Sequence, residues 1–233
     1  MTSRGVADFL YISKAKVDPL YQQYQLELPW LLRAIDQIGS ITVLSSGVSR
    51  NRTEATLVRK LRRVQRFLDK KEEVGSVDEP KRYFFSRIEM HYGAFDQVDP
   101  PVMYLIGETS QTIVALGGQL GHVIGRDPET TKAGEDAKHV FMEPEVARAI
   151  RRSQLGDNPR LVTDAELAIQ ADQDQWAIDV AETLWHWSSG IPPMMFETLA
   201  RCDEFVPPPA QIATRTQKNI LVGSPIFVSR IRL

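Results

Sequence analysis

The chain reads as an α+β protein built on a mostly antiparallel, strongly curved or barrel-like sheet flanked by helices. Three observations predict this. Residues 83–125 hold short β-branched and aromatic runs, punctuated by Asp99-Pro100-Pro101, by Gly107-Glu108-Thr109-Ser110 and by Gly117-Gly118, the pattern of a strand meander. Residues 102–106 and 113–116 are apolar at every position, so their sheet must be covered on both faces, by helices or by closing into a barrel. Segments with helical apolar spacing flank the meander on both sides.

Taken in order, Phe9-Leu10-Tyr11-Ile12 is a short apolar run and reads as a buried strand, after which Ser13 can cap a helix over 14–25. Pro29 opens a second helical pattern, with Trp30, Leu31, Ala34, Ile35 and Ile38 in step until Gly39. Residues 40–48 then alternate as a strand. Over 52–73, Leu57, Leu61, Val64, Phe67 and Leu68 form an apolar stripe, with Arg50, Arg52, Arg59, Lys60, Arg62, Arg63, Arg66, Lys70 and Lys71 around it. This basic amphipathic helix is either a solvated face over the sheet or a local anion patch.

Residues 75–80 form a turn-rich joint into the meander, whose strands are read as 83–95, 102–107, 111–116 and 121–125. On 83–95 the two-residue period puts Arg87, Glu89 and His91 on one face and Phe84, Ile88, Met90 and Tyr92 on the other. The polar, Gly- and Pro-punctuated segment 126–158 reads as an insertion or lid within a single α+β domain of residues 1–233. Helical spacing returns over 164–187. Pro192-Pro193 then opens a helix over 194–201 leading to Cys202, Pro207-Pro208-Pro209 ends the helical part, and 219–223 and 226–231 return to the sheet as strands.

Composition bounds the function. With 42% apolar and 25% charged residues in 233, the chain is ordinary for a globular protein, and its net charge of −2 supplies no field for duplex DNA or an anionic membrane. No segment approaches the ~20 apolar residues of a membrane helix, and the first residues lack a signal-peptide core, so the cytoplasm is the expected location. A single cysteine, Cys202, excludes an intrachain disulfide and a cysteine-based zinc cluster.

Of the four histidines, His91, His122, His139 and His186, none has metal-ligand spacing, so no metal is expected, and no GxGxxG, P-loop or GxSxG motif calls for a cofactor or a serine nucleophile. His186, between Trp185 and Trp187, reads as packed. His122 follows Gly117-Gly118-Gln119-Leu120-Gly121, where missing Cβ atoms suit either close backbone approach to a phosphate or a tight hairpin or bulge. Arg87, Glu89 and His91 offer a cation, a carboxylate and a titratable base, though a solvent-facing strand would look the same. Tyr11, Ser13, Lys14 and Lys16 stand where a strand gives way to a helix start, which favours anions, while Ser13 also serves as a plain cap.

Three blocks carry a resemblance: residues 9–18 (Phe-Leu-Tyr-Ile-Ser-Lys-Ala-Lys-Val-Asp), Leu116-Gly117-Gly118-Gln119 with His122-Val123-Ile124-Gly125, and Phe196-Glu197-Thr198-Leu199-Ala200-Arg201. They resemble the recurring blocks of a mainly actinobacterial family of similar length. That group in turn resembles CRISPR-associated ring nucleases, which degrade cyclic oligoadenylate messengers without a metal. Gln119 stands where the glycine block of the family continues with Ser, so a Ser-dependent contact is not carried over.

The resemblance implies a ring nuclease whose substrate supplies its own nucleophile, the ribose 2′-OH. His122 is the first candidate for acid or base, and His91 and Glu89 follow. Tyr11, Ser13, Lys14, Lys16, Arg87, Gly117, Gly118 and Gln119 would hold the ligand. A two-fold symmetric messenger implies a homodimer. Two other classes stand beside this enzyme: a barrel-type sensor that binds a nucleotide-like or other small ligand without turnover, and a structural interaction protein.

Overall fold

The computed structural model describes residues 8–27, 50–95, 101–125, 173–208 and 217–231. Contacts divide the chain into two units, one of Met1–Ile12 with Val74–Leu233 and one of Ser13–Glu73. The first holds β1 (Asp8–Ile12), β2 (Val74–Gly75), β3 (Tyr83–Phe95), β4 (Val102–Glu108), β5 (Thr112–Gln119), a 3-10 turn (Leu120–His122), α3 (Gln173–Trp187), β6 (Met194–Val206) and β7 (Asn219–Arg230). The second holds α1 (Lys14–Glu27) and α2 (Arg50–Lys70).

Five strands close on themselves. The meander β3-β4-β5 is followed by β6, which lies beside β3 in the Greek-key order, and β7 completes the ring by pairing with both β5 and β6. β3 changes partner along its length: Tyr83 to Met90 face β6, and Met90 to Phe95 face β4. One long strand serving two neighbours forces the sheet to curl. β5–β7 and β2–β3 are parallel and the other five pairings are antiparallel. The predicted α+β class, curvature and barrel are therefore all present.

Closure explains why residues 102–106 of β4 and 113–116 of β5 are apolar at every position. Met103, Leu105, Val114 and Leu116 point into the barrel with Phe84, Met90, Phe196 and Leu221, and all eight are fully buried. The alternate residues Val102, Tyr104, Ile106 and Ala115 face outward and pack under Ala177, Ile178, Ala181 and Leu184 of α3. Each fully buried large side chain contributes about 1.5–3 kcal/mol relative to exposure. The interior is filled rather than hollow, as expected for a barrel of this size.

Several expectations are corrected. Residues 194–201 form not a helix but the first part of β6, and Cys202 lies in that strand. The glycine pair does not break the third strand of the meander, because β5 runs through Gly117 and Gly118 to Gln119. The fourth strand at 121–125 is replaced by the 3-10 turn and an isolated bridge between Val123 and Tyr11. The two tail strands are one continuous strand, β7, and His186 is exposed rather than packed. The expected helix after Pro29, the strand at 40–48, the 126–158 insertion and His139 lie outside the described residues.

In the second unit, α1 and α2 run side by side in the same direction. Asp18 pairs with Lys60 at 2.6 Å, the Tyr21 hydroxyl accepts from Arg63 at 2.9 Å, Tyr24 meets Phe67 edge-on, and Glu27 pairs with Lys71 at 2.8 Å. Contacts that advance together by about one turn define a parallel pair.

Candidate functional site

Beyond Leu116 the two neighbours of β5 part company. Pairing with β7 covers Thr112 to Leu116, whereas pairing with β4 continues through Gly117, Gly118 and Gln119. Tyr11, at the inner end of β1, lies there with only 1% of its surface exposed. A Cβ on Gly118 would sit 2.6 Å from the Tyr11 hydroxyl, closer than any real contact. Gly118 is therefore explained by the close approach of a side chain, and its small size makes room for a phenol.

The next turn is pinned from two sides. Leu120 N–H donates to the Pro101 carbonyl and Ile124 N–H donates to the Leu10 carbonyl, each at 2.9 Å. This fixes His122, whose half-buried ring meets Tyr11 edge to face with centroids 5.8 Å apart. Tyr11, Gly118 and His122 thus converge from segments far apart in sequence, with Gly117 buried and Gln119 half-buried beside them at the end of β5.

The other nominated residues are distributed elsewhere. Arg87 and Glu89 are exposed on the outer face of β3, in register with Glu197 and Met195 of β6. His91 shares that face, but its Nδ1–H donates to the Ile191 carbonyl at 2.5 Å and its ring lies edge-on to Trp185, 6.0 Å between centroids. A carbonyl can only accept, so the proton sits on Nδ1 and Nε2 is the nitrogen available to act. Ser13, Lys14 and Lys16 belong to the second unit. The Ser13 carbonyl accepts from the Lys16 and Val17 N–H groups, as a helix-opening residue does, and Lys14 is exposed while Lys16 is half-buried.

Sequence reasoning missed Trp185 as the partner of His91, since nothing in local spacing joins α3 to β3. It also missed Ser86 and Thr198, whose hydroxyls hydrogen-bond to each other at 2.5 Å inside the barrel. Their parity with Phe84 and Met90, and with Phe196 and Ala200, was the available signal.

Cys202 packs against the inner core, and burial, followed by the charges of Asp203 and Glu204, pushes its thiol up to about 11. It is a poor nucleophile at neutral pH. Among the described residues, no group of three or more His, Cys, Asp and Glu is arranged to hold a metal ion, and no helix is long and apolar enough to cross a membrane.

A five-stranded Greek-key barrel is also the architecture of OB-type folds, which carry oligonucleotides across their second and third strands. The corresponding strands here are β4 and β5, and α3 covers their outer face. A ligand bound on the barrel in that manner would have to displace the helix.

The model of a family of unknown function, DUF7019, matches residues 8–231. The chain belongs to that family. No curated protein and no solved structure matches it. The DUF7019 match spans both units, so α1 and α2 are part of the family's common length along with the barrel.

Proposed function

We propose that the protein binds a cyclic oligoadenylate at the Tyr11–His122 end of the barrel and opens it without a metal. The observation that carries this reading is the half-buried His122, held against Tyr11 beside Gly118. An imidazole titrates near neutral pH and can move a proton there. In the reaction the ribose 2′-OH attacks the adjacent phosphorus, the bond from phosphorus to the 5′ oxygen breaks, and a 2′,3′-cyclic phosphate and a 5′-OH result. His122 serves as acid or base for one of the two protons. In this role the protein works in the cytoplasm as a homodimer, limiting antiviral signalling.

One observation favours a second reading, binding without turnover. Glu89 and His91 stand on the outer face of β3, so of the proposed proton-transfer groups only His122 remains with Tyr11 and Gly118. Labelled cyclic oligoadenylates incubated in EDTA with the wild type and with His122→Ala separate the two. Cleavage lost in the variant supports the nuclease; a rise in Tm without cleavage supports the sensor; neither cleavage nor a Tm shift discards both.

A further inference from the structure

Charge in this chain is unevenly divided. Ser13–Glu73 carries 12 Lys and Arg against 7 Asp and Glu, a balance of +5, while the remaining residues carry 16 against 23. Helix α2 concentrates the excess. Its residues Leu61, Val64 and Leu68 are buried on one side, and Lys60, Arg63 and Lys71 are engaged by α1 on the flank. On the side opposite the buried stripe, Arg59, Arg62, Arg66 and Lys70 are all exposed, with Asp69 at the border.

Helical geometry turns these four into a single feature. At 3.6 residues per turn they fall within about 80° of the helix circumference, and at 1.5 Å per residue they extend over about 16 Å. Three of the four are arginines, whose planar guanidinium forks match phosphate oxygens in pairs. One cation per turn suits a polymer that repeats its charge at every unit. A duplex is stiff over this distance and would touch one convex helix only briefly, whereas a single strand bends to follow it.

We propose that the Arg59-Arg62-Arg66-Lys70 face of α2 is a binding surface for single-stranded nucleic acid, gripping phosphates without reading sequence. The proposal does not depend on the activity assigned to Tyr11 and His122.

The test is fluorescence anisotropy of the full chain with a labelled linear single-stranded RNA of mixed sequence, at about 50 to 200 mM NaCl. Four phosphate contacts give a slope of log K against log salt of about −2.8, an affinity loss of about 50-fold over that range. Arg62→Gln/Arg66→Gln should reduce the slope to about −1.4, and Arg59→Gln/Lys70→Gln should do the same, with far-UV circular dichroism unchanged. Slopes in both variants equal to the wild type's would overturn the proposal. So would polyglutamate competing as well as RNA at equal charge, which would assign the face to an acidic protein partner instead.

Discussion

Tyr11 and His122 meet edge to face, their ring planes at 89° and their centroids 5.8 Å apart, although 110 positions separate them in the sequence. The contact ties β1 to the turn that follows β5. If His122 transfers a proton in phosphodiester cleavage, His122→Ala loses roughly 10²-fold in single-turnover rate while ligand affinity changes little. Full activity in the variant would remove His122 from the mechanism.

Gly118→Ala should destabilise the protein by about 1–3 kcal/mol, since the new methyl group would overlap the Tyr11 hydroxyl. Tyr11→Phe removes the nearest obstructing atom and relieves part of the overlap, the ring carbon at 2.8 Å remaining. Urea unfolding of the two single variants and the double variant should then give a combined loss smaller than the sum, the mark of two residues competing for one space. Simple additivity would contradict the contact.

The hydroxyl pair inside the barrel makes a similar prediction with a different cause. Ser86→Ala leaves the fully buried Thr198 hydroxyl without this partner and should cost about 1–3 kcal/mol. Ser86→Ala/Thr198→Val deletes both polar groups and should cost less than its two single substitutions added together, again read by urea unfolding.

Cys202 should resist alkylation. At pH 7.5 iodoacetamide should modify the folded chain far more slowly than the urea-unfolded chain, because a thiol raised to about 11 is almost wholly protonated. The folded state holds this proton more tightly than the unfolded state, whose thiol titrates near 9. The associated stability is therefore complete below pH 9 and is lost as pH rises to about 11. Cys202→Ala should flatten that part of the pH profile, and an unchanged profile would show that the thiol contributes nothing to it.

The meander was legible because residues 102–106 of β4 and 113–116 of β5 announce two-sided burial by being apolar at every position. β6 was not, for the same physical reason. Phe196 and Ala200 face the barrel interior while Leu199 is buried from the other side, so burial on both faces replaces a two-residue alternation with spacing that imitates a helix. The Pro192-Pro193 start reinforced the imitation. Gly117-Gly118 looked like a chain reversal because the object that demands a glycine there is the Tyr11 side chain, brought in by β1 from the other end of the sequence. His122 could be nominated from its glycine neighbours, but its partner could not. Arg87 and Glu89 share a face with His91 as expected, and only the fold reveals that this face is the outer wall.

Closure of β6 against both β3 and β7 has a consequence for behaviour at high concentration. The described strands that end the sheet path are β1 and β2, with five and two residues, so little backbone is presented for another molecule to extend. Separating β6 from β7 would change this abruptly. It would bare the edges over 196–206 and 220–230, including Ile220-Leu221-Val222 and Ile226-Phe227-Val228. Aggregation should therefore track how often that one seam opens: it should accelerate under conditions that loosen β6 from β7 and remain slow while the ring is shut.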